Sequence, residues 1–310
     1  MANLQSRGYL LTEQVNPDSL NLDQLSSLEL VNLFNTEDQK AVAAVTAAQQ
    51  QLAAAIDLTA ERLRQGGRLF YVGAGTSGRL GVLDAAECPP TFCTSPDMVQ
   101  GIIAGGAGAL VRSSEDLEDR SEDGEAAIAQ RHITQLDVVV GITAGGTTPF
   151  VYGALNASRQ RGATTIFIAC VPTEQVRFDA DVDIRLLTGP EILAGSTRLK
   201  AGTATKLALN ILSTGVMVKL GKVYGNRMVD VAVTNHKLHD RALQMLQDLT
   251  GLSRDAAGFL LEKSGKSVKL ALLMHWTGLD QEAGDRLLAE HEGNLRVAVA
   301  SYQHQQKVES

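Results

Sequence analysis

The stretch Gly73-Ala74-Gly75-Thr76-Ser77-Gly78-Arg79-Leu80-Gly81 decides the fold of this chain. An apolar segment, 68–72, comes before it and a helical pattern follows it, so the glycines lie where a strand turns into a helix. Such a turn presents backbone N–H groups and the positive end of a helix dipole to an anion. The hydroxyls of Thr76 and Ser77 add two more donors. The residues predicted to form this anion site are Gly75, Thr76, Ser77, Gly78 and Arg79.

The same glycines, Gly73, Gly75 and Gly78, also match the dinucleotide-binding fingerprint. That fingerprint requires an acidic residue about 20 positions further along, at the end of the next strand. The next candidate strand, 98–104, instead runs into Gly105-Gly106-Ala107-Gly108 without an acid. The sequence therefore favours a small phosphate over a dinucleotide. A tight turn without any ligand is the other alternative, and the further glycine loops disfavour it.

Apolar segments alternate with helical segments from residue 68 onward. The candidate strands are 68–72, 98–104, 136–142, 164–170 and 182–187. This alternation predicts an α/β fold, with a doubly wound parallel sheet flanked by helices. Ligands bind such sheets beyond the carboxyl ends of the strands. The loops 73–81, 105–108 and 143–149 follow the first three strands, and we expect them to converge on one site.

Helical segments surround this core. Thr36-Glu37-Asp38-Gln39 predicts a capping box that begins a long helix, and Gly66-Gly67 predicts its end. Another long helix is predicted at 203–220. We predict two domains, a catalytic domain with a helical lead-in at 1–243 and a small helical (UBA-like) tail at 244–310.

Composition and charge exclude several functions. The chain has 310 residues, is 44% hydrophobic and 20% charged, and carries a net charge of −7. It has no basic stripe of the kind that binds nucleic acid, no signal-peptide pattern and no apolar run long enough for a membrane. Its three cysteines show neither metal-ligand nor disulfide spacing. We therefore expect a cytoplasmic protein with no nucleic-acid or membrane partner and no metal.

Two further segments have the composition of anion sites. Thr143-Ala144-Gly145-Gly146-Thr147-Thr148-Pro149 follows the third strand and can form a nest of backbone amides, or an ordinary glycine turn with proline at the first helical position. Gly195-Ser196-Thr197-Arg198-Leu199-Lys200 opens a helix, where it can bind an anion or only cap the helix. The candidate residues in these segments are Thr143, Gly146, Thr147, Thr148, Ser196, Thr197 and Lys200.

Two carboxylates are candidates for acid–base chemistry. Glu87 precedes Cys88-Pro89-Pro90, an apolar setting in which desolvation would raise the pKa of a carboxyl group and keep it protonated. Glu118 lies in an acidic run, which is more often a solvated helix face. His236 and His239 are weaker candidates, since surface or interface positions explain them equally well.

Taken together, these residues resemble the N-acetylmuramic acid 6-phosphate etherases, bacterial lyases of the sugar isomerase (SIS) fold. The resemblance covers nearly the whole chain and is strongest in the block 73–92. Other matching segments are Thr12-Glu13, Asn16-Pro17, Glu37-Asp38, Ala104-Gly105-Gly106, Glu118-Asp119, 195–206, Thr234-Asn235-x-Lys237-Leu238 and 262–265. The family's two catalytic glutamates fall on Glu87 and Glu118.

The resemblance implies a reaction of cell-wall amino-sugar recycling. The D-lactyl ether at C3 of the sugar 6-phosphate is eliminated, and water then adds to the unsaturated intermediate. Glu118 would remove the proton at C2, which the C1 aldehyde of the opened sugar acidifies, and Glu87 would protonate the departing lactate. The resemblance implies a homodimer and neither a metal nor an organic cofactor.

One segment departs from the family pattern. Relatives typically carry Ala-Ser-Gly-Arg-Thr-Pro after the third strand, whereas Ala144-Gly145-Gly146-Thr147-Thr148-Pro149 lacks that serine and arginine. The hydroxyls of Thr143 and Thr147 can replace the missing donor. Two alternatives stay open, a sugar-phosphate-binding regulator of the same fold and a sugar-phosphate isomerase, which needs no acid for a leaving group.

Overall fold

The computed structural model describes residues 7–112, 115–231, 233 and 235–309. Thr234, in one of the motifs quoted above, lies outside these residues. The described chain forms two compact units. The first contains the residues before Glu87 together with Asp97–Ser213, and the second contains Glu87–Pro96 and the residues from Thr214 onward.

A parallel five-stranded sheet forms the centre of the first unit. Its strands are β1 (Leu69–Gly73), β2 (Val99–Ile103), β3 (Val138–Ile142), β4 (Thr164–Ala169) and β5 (Val182–Arg185). All five predicted strands are confirmed, with ends shifted by at most about two residues. Every residue of β1, β3 and β4 is buried, which explains why these strands show no alternating pattern and are apolar apart from Thr164 and Thr165.

The strand order places a crevice between β1 and β3. The order is β2-β1-β3-β4-β5, so the chain passes to one side of β1 and then to the other. In such sheets the ligand site lies at this switch point, beyond the carboxyl ends of the two central strands. The loops that follow β1 and β3 therefore flank the crevice, whereas the loop after the edge strand β2 is displaced by one strand.

Six helices belong wholly or partly to the first unit. They are α1 (Ser27–Ala47), α2 (Gln49–Arg64), α3 (Gly75–Phe92), α4 (Ser121–Gln130), α5 (Pro149–Gln160) and α6 (Lys200–Lys219). A Cβ atom on Gly141 would lie 2.5 Å from Leu155 Cδ1, so this glycine allows α5 to pack closely on β3. A Cβ atom on Gly81 would lie 2.7 Å from Tyr71 Cβ, so another glycine allows α3 to approach β1 equally closely.

The predicted capping box at Thr36 is wrong. Helix α1 begins earlier, at Ser27, where Ser26 and Glu29 form the capping box. Thr36 lies inside α1 and donates its hydroxyl hydrogen bond to the carbonyl oxygen of Asn32 at 2.9 Å. Both tetrapeptides match the sequence pattern, and the earlier one begins the helix. The predicted stop is confirmed, because α2 ends at Arg64 and Gly66 adopts a left-handed φ of +88°. The single long helix predicted before this stop is wrong, since the chain forms two helices that are separated at Ala48.

Specific contacts hold the N-terminal lead-in to the first unit. Four short 3₁₀ helices form it, at Arg7–Tyr9, Leu11–Glu13, Pro17–Ser19 and Leu22–Gln24. Leu10 is 1% exposed and joins the core that packs around β1 and β4. The backbone N–H of Leu11 donates to Gln175 Oε1, and Gln175 Nε2 donates in return to the carbonyl oxygen of Tyr9, both at 2.9 Å. The lead-in is therefore an ordered part of the fold.

The second unit is largely helical. A short hairpin, β6 (Val223–Tyr224) and β7 (Arg227–Met228), precedes α7 (His236–Thr250), α8 (Arg254–Lys263), α9 (Val268–Thr277), α10 (Gln281–Glu290) and α11 (Leu295–Glu309). Helix α9 is almost entirely buried in the core of this unit. The helical character predicted for the tail at 244–310 is confirmed, and the domain boundary at residue 243 stays a prediction. Within the described residues, no helix combines the length and apolar character that crossing a membrane requires.

Candidate functional site

A cavity of about 370 Å³ lies at the switch point of the sheet. Its walls come from the start of α3, the loop after β3, the start of α6, Glu118 and the N-terminal lead-in. This volume suits a small ligand. The predicted site residues that line it are Gly75, Thr76, Ser77, Glu118, Thr143, Thr147, Thr148 and Thr197.

The start of α3 supplies open hydrogen-bond donors to this cavity. A Cβ atom on Gly73 would lie 2.7 Å from the backbone nitrogen of Gly78, so the strand-to-helix turn requires glycine here. The N–H of Gly78 is bonded to the carbonyl oxygen of Ala74. Within the described residues, the N–H groups of Gly75, Thr76 and Ser77 have no hydrogen-bond partner. Three donors at the positive end of the helix dipole thus remain for an anion.

Gly78 and Arg79 do not line the cavity. Gly78 is buried in the turn, and a Cβ atom there would lie 2.6 Å from the carbonyl oxygen of Gly73. Arg79 donates hydrogen bonds to the carbonyl oxygens of Leu110 and Arg112, at 3.2 and 3.3 Å. It therefore holds the segment after β2 rather than contributing to the cavity wall.

The loop after β3 brings three hydroxyls to the cavity. Thr143 Oγ1 and Thr148 Oγ1 are hydrogen-bonded at 2.8 Å, and Thr147 lines the wall beside them. Gly146 supports the loop from the core side. Its φ is +74°, and a Cβ atom there would lie 3.0 Å from the side chains of Val171 and Val176. The loop thus keeps hydroxyl groups at the cavity although it lacks the serine and arginine of the family pattern.

The start of α5 has no free backbone donors for a ligand, because the chain itself supplies their hydrogen-bond partners. Its first residue, Pro149, has no N–H. The N–H of Phe150 donates to the carbonyl oxygen of Glu118 at 3.0 Å, and that of Val151 donates to the carbonyl oxygen of Thr148 at 3.1 Å. These bonds place the backbone of Glu118 against the start of α5.

The first N–H groups of α6 also have hydrogen-bond partners within the chain. The prediction of an anion-binding site at the start of α6 is therefore corrected. The Glu191 carboxylate accepts hydrogen bonds from the N–H groups of Lys200 and Ala201, both at 2.9 Å. Burial raises the pKa of Glu191, and these two hydrogen bonds oppose that shift. A carboxylate of the protein therefore occupies the position that a phosphate would take. Thr197 lines the cavity, whereas Ser196 does not.

Lys200 does not line the cavity either. Its side chain is fully buried, and its Nζ lies 2.5 Å from Glu37 Oε2. Glu37 also accepts hydrogen bonds from Asn16 at 2.8 Å and from Lys40 at 2.5 Å. Burial alone would raise the pKa of Glu37, but the hydrogen bonds from Lys200, Lys40 and Asn16 outweigh it and lower the pKa to about 2. Lys200 thus holds α6 against α1 and the lead-in, and we remove it from the proposed phosphate site.

The two candidate catalytic glutamates have different surroundings. Glu118 is half-buried in the cavity wall. Glu87 belongs to the second unit, its side chain is exposed, and it is not among the cavity-lining residues. The described residues of the single chain therefore do not give Glu87 the expected apolar setting, and the neighbouring Cys88 is buried instead. His236 and His239 lie in the first turn of α7, in the second unit.

The loop after β2 does not share the cavity. Gly105, Gly106 and Ala107 line a separate cavity of about 500 Å³ in the first unit. The expectation that three loops converge on one site is wrong in this respect. The physical reason is the strand order, because β2 is an edge strand and the crevice lies between β1 and β3.

The sequence patterns missed the contribution of the lead-in. Arg7, Leu10 and Glu13 line the cavity. Glu13 approaches the loop before α6, since a Cβ atom on Gly195 would lie 3.2 Å from Glu13 Oε2. Periodicity carries no signal for these contacts, and the only hint was the presence of Thr12-Glu13 among the family motifs. Among the described residues, no group of three or more His, Cys, Asp or Glu side chains is arranged to hold a metal ion.

Comparison with known proteins identifies the family. The chain is 83% identical over 305 residues to the N-acetylmuramic acid 6-phosphate etherase of Trichormus variabilis, covering 98% of this chain and 99% of the relative. It is 84% identical over 304 residues to the etherase of the same name from Nostoc punctiforme, again covering 98% and 99%. The chain belongs to the N-acetylmuramic acid 6-phosphate etherase family. A third etherase, from Picosynechococcus sp., is 74% identical and covers 97% of this chain and 100% of the relative.

Two family models match separate parts of this etherase-family chain. The N-terminal SIS domain of glucokinase regulatory protein matches residues 51–159, and the C-terminal lid domain of the same protein matches residues 225–288. Among solved structures, a phosphoheptose isomerase from Francisella tularensis superposes with a TM-score of 0.46 at 15% identity, covering 63% of this chain and all of that chain.

Proposed function

We propose that this chain cleaves the C3 D-lactyl ether of N-acetylmuramic acid 6-phosphate, as a carbon–oxygen lyase that forms N-acetylglucosamine 6-phosphate and D-lactate. The observation that carries the proposal is the cavity in which an open helix N-terminus and the Glu118 side chain meet. Near-full-length identity to proteins named for this reaction supports the choice of substrate.

The sugar phosphate group binds at the start of α3 in this proposal. Backbone donors at Gly75, Thr76 and Ser77, together with the hydroxyls of Thr76 and Ser77, match the acceptor oxygens of a phosphate. The hydroxyls of Thr143, Thr147 and Thr148 line the same cavity and extend the donor set. Binding therefore relies on dipoles and neutral hydroxyls rather than on a lysine.

Glu118 acts as the base. The open-chain sugar carries an aldehyde at C1, which acidifies the proton at C2. Glu118 takes that proton, the C2–H electron pair forms the C2=C3 double bond, and the C3–O bond breaks. The lactate oxygen receives a proton from Glu87. Water then adds its oxygen to C3 and gives up a proton that restores Glu87, while Glu118 returns its proton to C2. The aldehyde of the substrate serves as the electron sink.

We also propose that the active assembly is a homodimer in the cytoplasm. The exposed position of Glu87 supports this, because a second copy could cover the carboxyl group and provide the apolar surroundings that a protonated acid requires. Sedimentation velocity of the purified protein at micromolar concentration should show a dimer of the 33.0 kDa chain. A monomer that is fully active would contradict this part of the proposal.

The test of the function is the release of D-lactate from purified protein and N-acetylmuramic acid 6-phosphate. Lactate and N-acetylglucosamine 6-phosphate should appear in equal amounts. If the protein binds sugar phosphates tightly and releases no lactate, a regulator of the same fold replaces the etherase. If it interconverts aldose and ketose phosphates without releasing lactate, the isomerase alternative is correct.

Replacing Thr76 by valine should weaken binding of N-acetylglucosamine 6-phosphate by roughly 10- to 100-fold. A hydrogen bond to a charged phosphate contributes about 1.5–3 kcal/mol, and the substitution keeps the shape of the side chain. Isothermal titration calorimetry measures the change. Thr46→Val, which removes an exposed hydroxyl from α1, is the matched control and should bind as the wild type does. Equal affinity of Thr76→Val and wild type would remove Thr76 from the phosphate site.

Replacing Glu87 by glutamine should lower lactate release by about 100-fold while leaving substrate binding unchanged. This value lies at the low end of the range for a general acid, because the amide of glutamine can still donate a hydrogen bond to the departing oxygen. Steady-state kinetics should show the loss in kcat with little change in KM. Unchanged kcat would exclude Glu87 from the reaction, and a large rise in KM would assign it to binding instead.

A further inference from the structure

We propose that Arg7 binds the carboxylate of the D-lactyl group and thereby selects the muramic acid substrate over sugar phosphates that lack the lactyl ether. This inference rests on the proposed function. The phosphate donors and the two glutamates do not bind the lactyl carboxylate of the substrate, and the proposal assigns Arg7 to this group.

The substrate carries two anionic groups, the phosphate at C6 and the lactyl carboxylate at C3. A carboxylate that leaves bulk water requires a cation or several strong donors. Among the described residues that line the cavity, the charged side chains are Arg7, Glu13 and Glu118. Without Arg7, the lactyl carboxylate would enter a cavity whose charged groups are carboxylates.

The position of Arg7 matches the position of the lactyl group. Its Nη2 lies 3.9 Å from Asp119 Oδ1, so the guanidinium lies beside the chain at Glu118-Asp119. Glu118 acts at C2 in the proposed reaction, and the lactyl ether is attached to the adjacent carbon, C3. The phosphate is at the other end of the sugar, where α3 supplies its donors. Arg7 and the donors of α3 therefore suit the two ends of one ligand.

Arg7 is held in place by its neighbours and is available to a ligand. Leu10 is buried, and the bonds between Gln175 and the backbone of Tyr9 and Leu11 fix the segment that carries Arg7. The partners Arg7 and Asp119 have side chains that are 54% and 66% exposed, and such surface pairs contribute little to stability. The guanidinium can therefore exchange Asp119 for a substrate carboxylate, which arginine binds through two parallel hydrogen bonds.

The test measures the affinity for two ligands that differ by the lactyl group. Glu118→Gln serves as the parent protein, so that N-acetylmuramic acid 6-phosphate is not consumed during isothermal titration calorimetry at neutral pH. Adding Arg7→Met should weaken binding of this ligand by roughly 10- to 100-fold. The same change should alter the affinity for N-acetylglucosamine 6-phosphate by less than about twofold. The affinity of Arg7→Lys for N-acetylmuramic acid 6-phosphate should lie between those of the parent and Arg7→Met, because lysine keeps the charge and loses the bidentate geometry.

Arg177→Met in the same parent is the matched control, since it removes an exposed arginine that does not line the cavity. It should leave both affinities unchanged. If Arg7→Met lowers the affinity for both ligands equally, or for neither, the assignment of Arg7 to the lactyl carboxylate is overturned. If the parent protein binds N-acetylglucosamine 6-phosphate and not the muramic acid ligand, the proposed function itself fails, and the role of Arg7 fails with it.

Discussion

Replacing Glu118 by glutamine should reduce the release of D-lactate by roughly 10²- to 10⁴-fold, the usual contribution of a general base. Glutamine has nearly the same shape and cannot accept the C2 proton. The half-buried position of Glu118 in the cavity wall limits the access of bulk water, which is therefore a poor substitute for the missing base. The loss should appear in kcat, with the affinity for N-acetylglucosamine 6-phosphate preserved. A coupled assay of D-lactate measures the rate.

Glu122→Gln is the control for this change. Glu122 lies in the same acidic run, is exposed, and does not line the cavity. Its removal should leave the rate within a factor of about two of wild type. Exchange of the C2 proton with deuterated water gives a second readout, and Glu118→Gln should abolish it. If the variant released lactate at the wild-type rate, Glu118 would not be the base.

Replacing Lys200 by methionine should destabilise the first unit by about 3–5 kcal/mol. The change removes the fully buried one of the two lysines that contact the buried Glu37 carboxylate, since Lys200 Nζ lies 2.5 Å from Glu37 Oε2. Lys40 stays 2.5 Å from Oε1, but its side chain is 49% exposed and compensates the carboxylate only in part. Urea denaturation followed by circular dichroism measures the free energy of unfolding. Arg177→Met removes an exposed basic side chain from the same unit and should change the free energy of unfolding by less than about 0.5 kcal/mol.

The double variant Glu37→Gln/Lys200→Met shows how much of the lost stability comes from the ion pair and how much from poorer packing. Removing both charges should destabilise the protein less than the sum of the two single changes, because no buried charge is then left uncompensated. Additive effects would contradict the interpretation of Lys200 and Glu37 as a coupled pair.

The same pair should make stability depend on pH. The pKa of Glu37 is lowered from 4.5 to about 2 in the folded protein, so its stabilising effect is complete above pH 4.5 and is lost as the pH falls toward 2. The difference in unfolding free energy between pH 7 and pH 3 should therefore be smaller for Lys200→Met than for wild type.

The sequence predicted the sheet well because buried parallel strands are short apolar runs. Strands β1 and β3 fit that pattern throughout, and β4 fits it after Thr164 and Thr165. It also predicted the turn at Gly73 and Gly78, where two backbone segments approach too closely for any side chain. These features are local, so a short window of sequence contains the information that determines them.

The parts of the site that the sequence missed depend on distant contacts. Lys200 looked like a phosphate ligand because nothing near it in the sequence shows that Glu37, 163 residues away, lies against its ammonium group. Arg7 and Glu13 reach the cavity because Gln175 and Leu10 hold the lead-in there. The loop after β2 was assigned to the cavity because strand order is a property of the whole sheet.

Three helices begin at the cavity. In two of them, the first backbone N–H groups already donate hydrogen bonds to other parts of the chain. Glu191 neutralises the start of α6, and Pro149 with the carbonyl oxygen of Glu118 closes the start of α5. Of these three helices, only α3 begins with backbone N–H groups that have no hydrogen-bond partner among the described residues. If the phosphate binds there, as we propose, the amide donors of α3 fix one end of the ligand. The direction in which the sugar chain enters the cavity is then set before any catalytic residue acts on it.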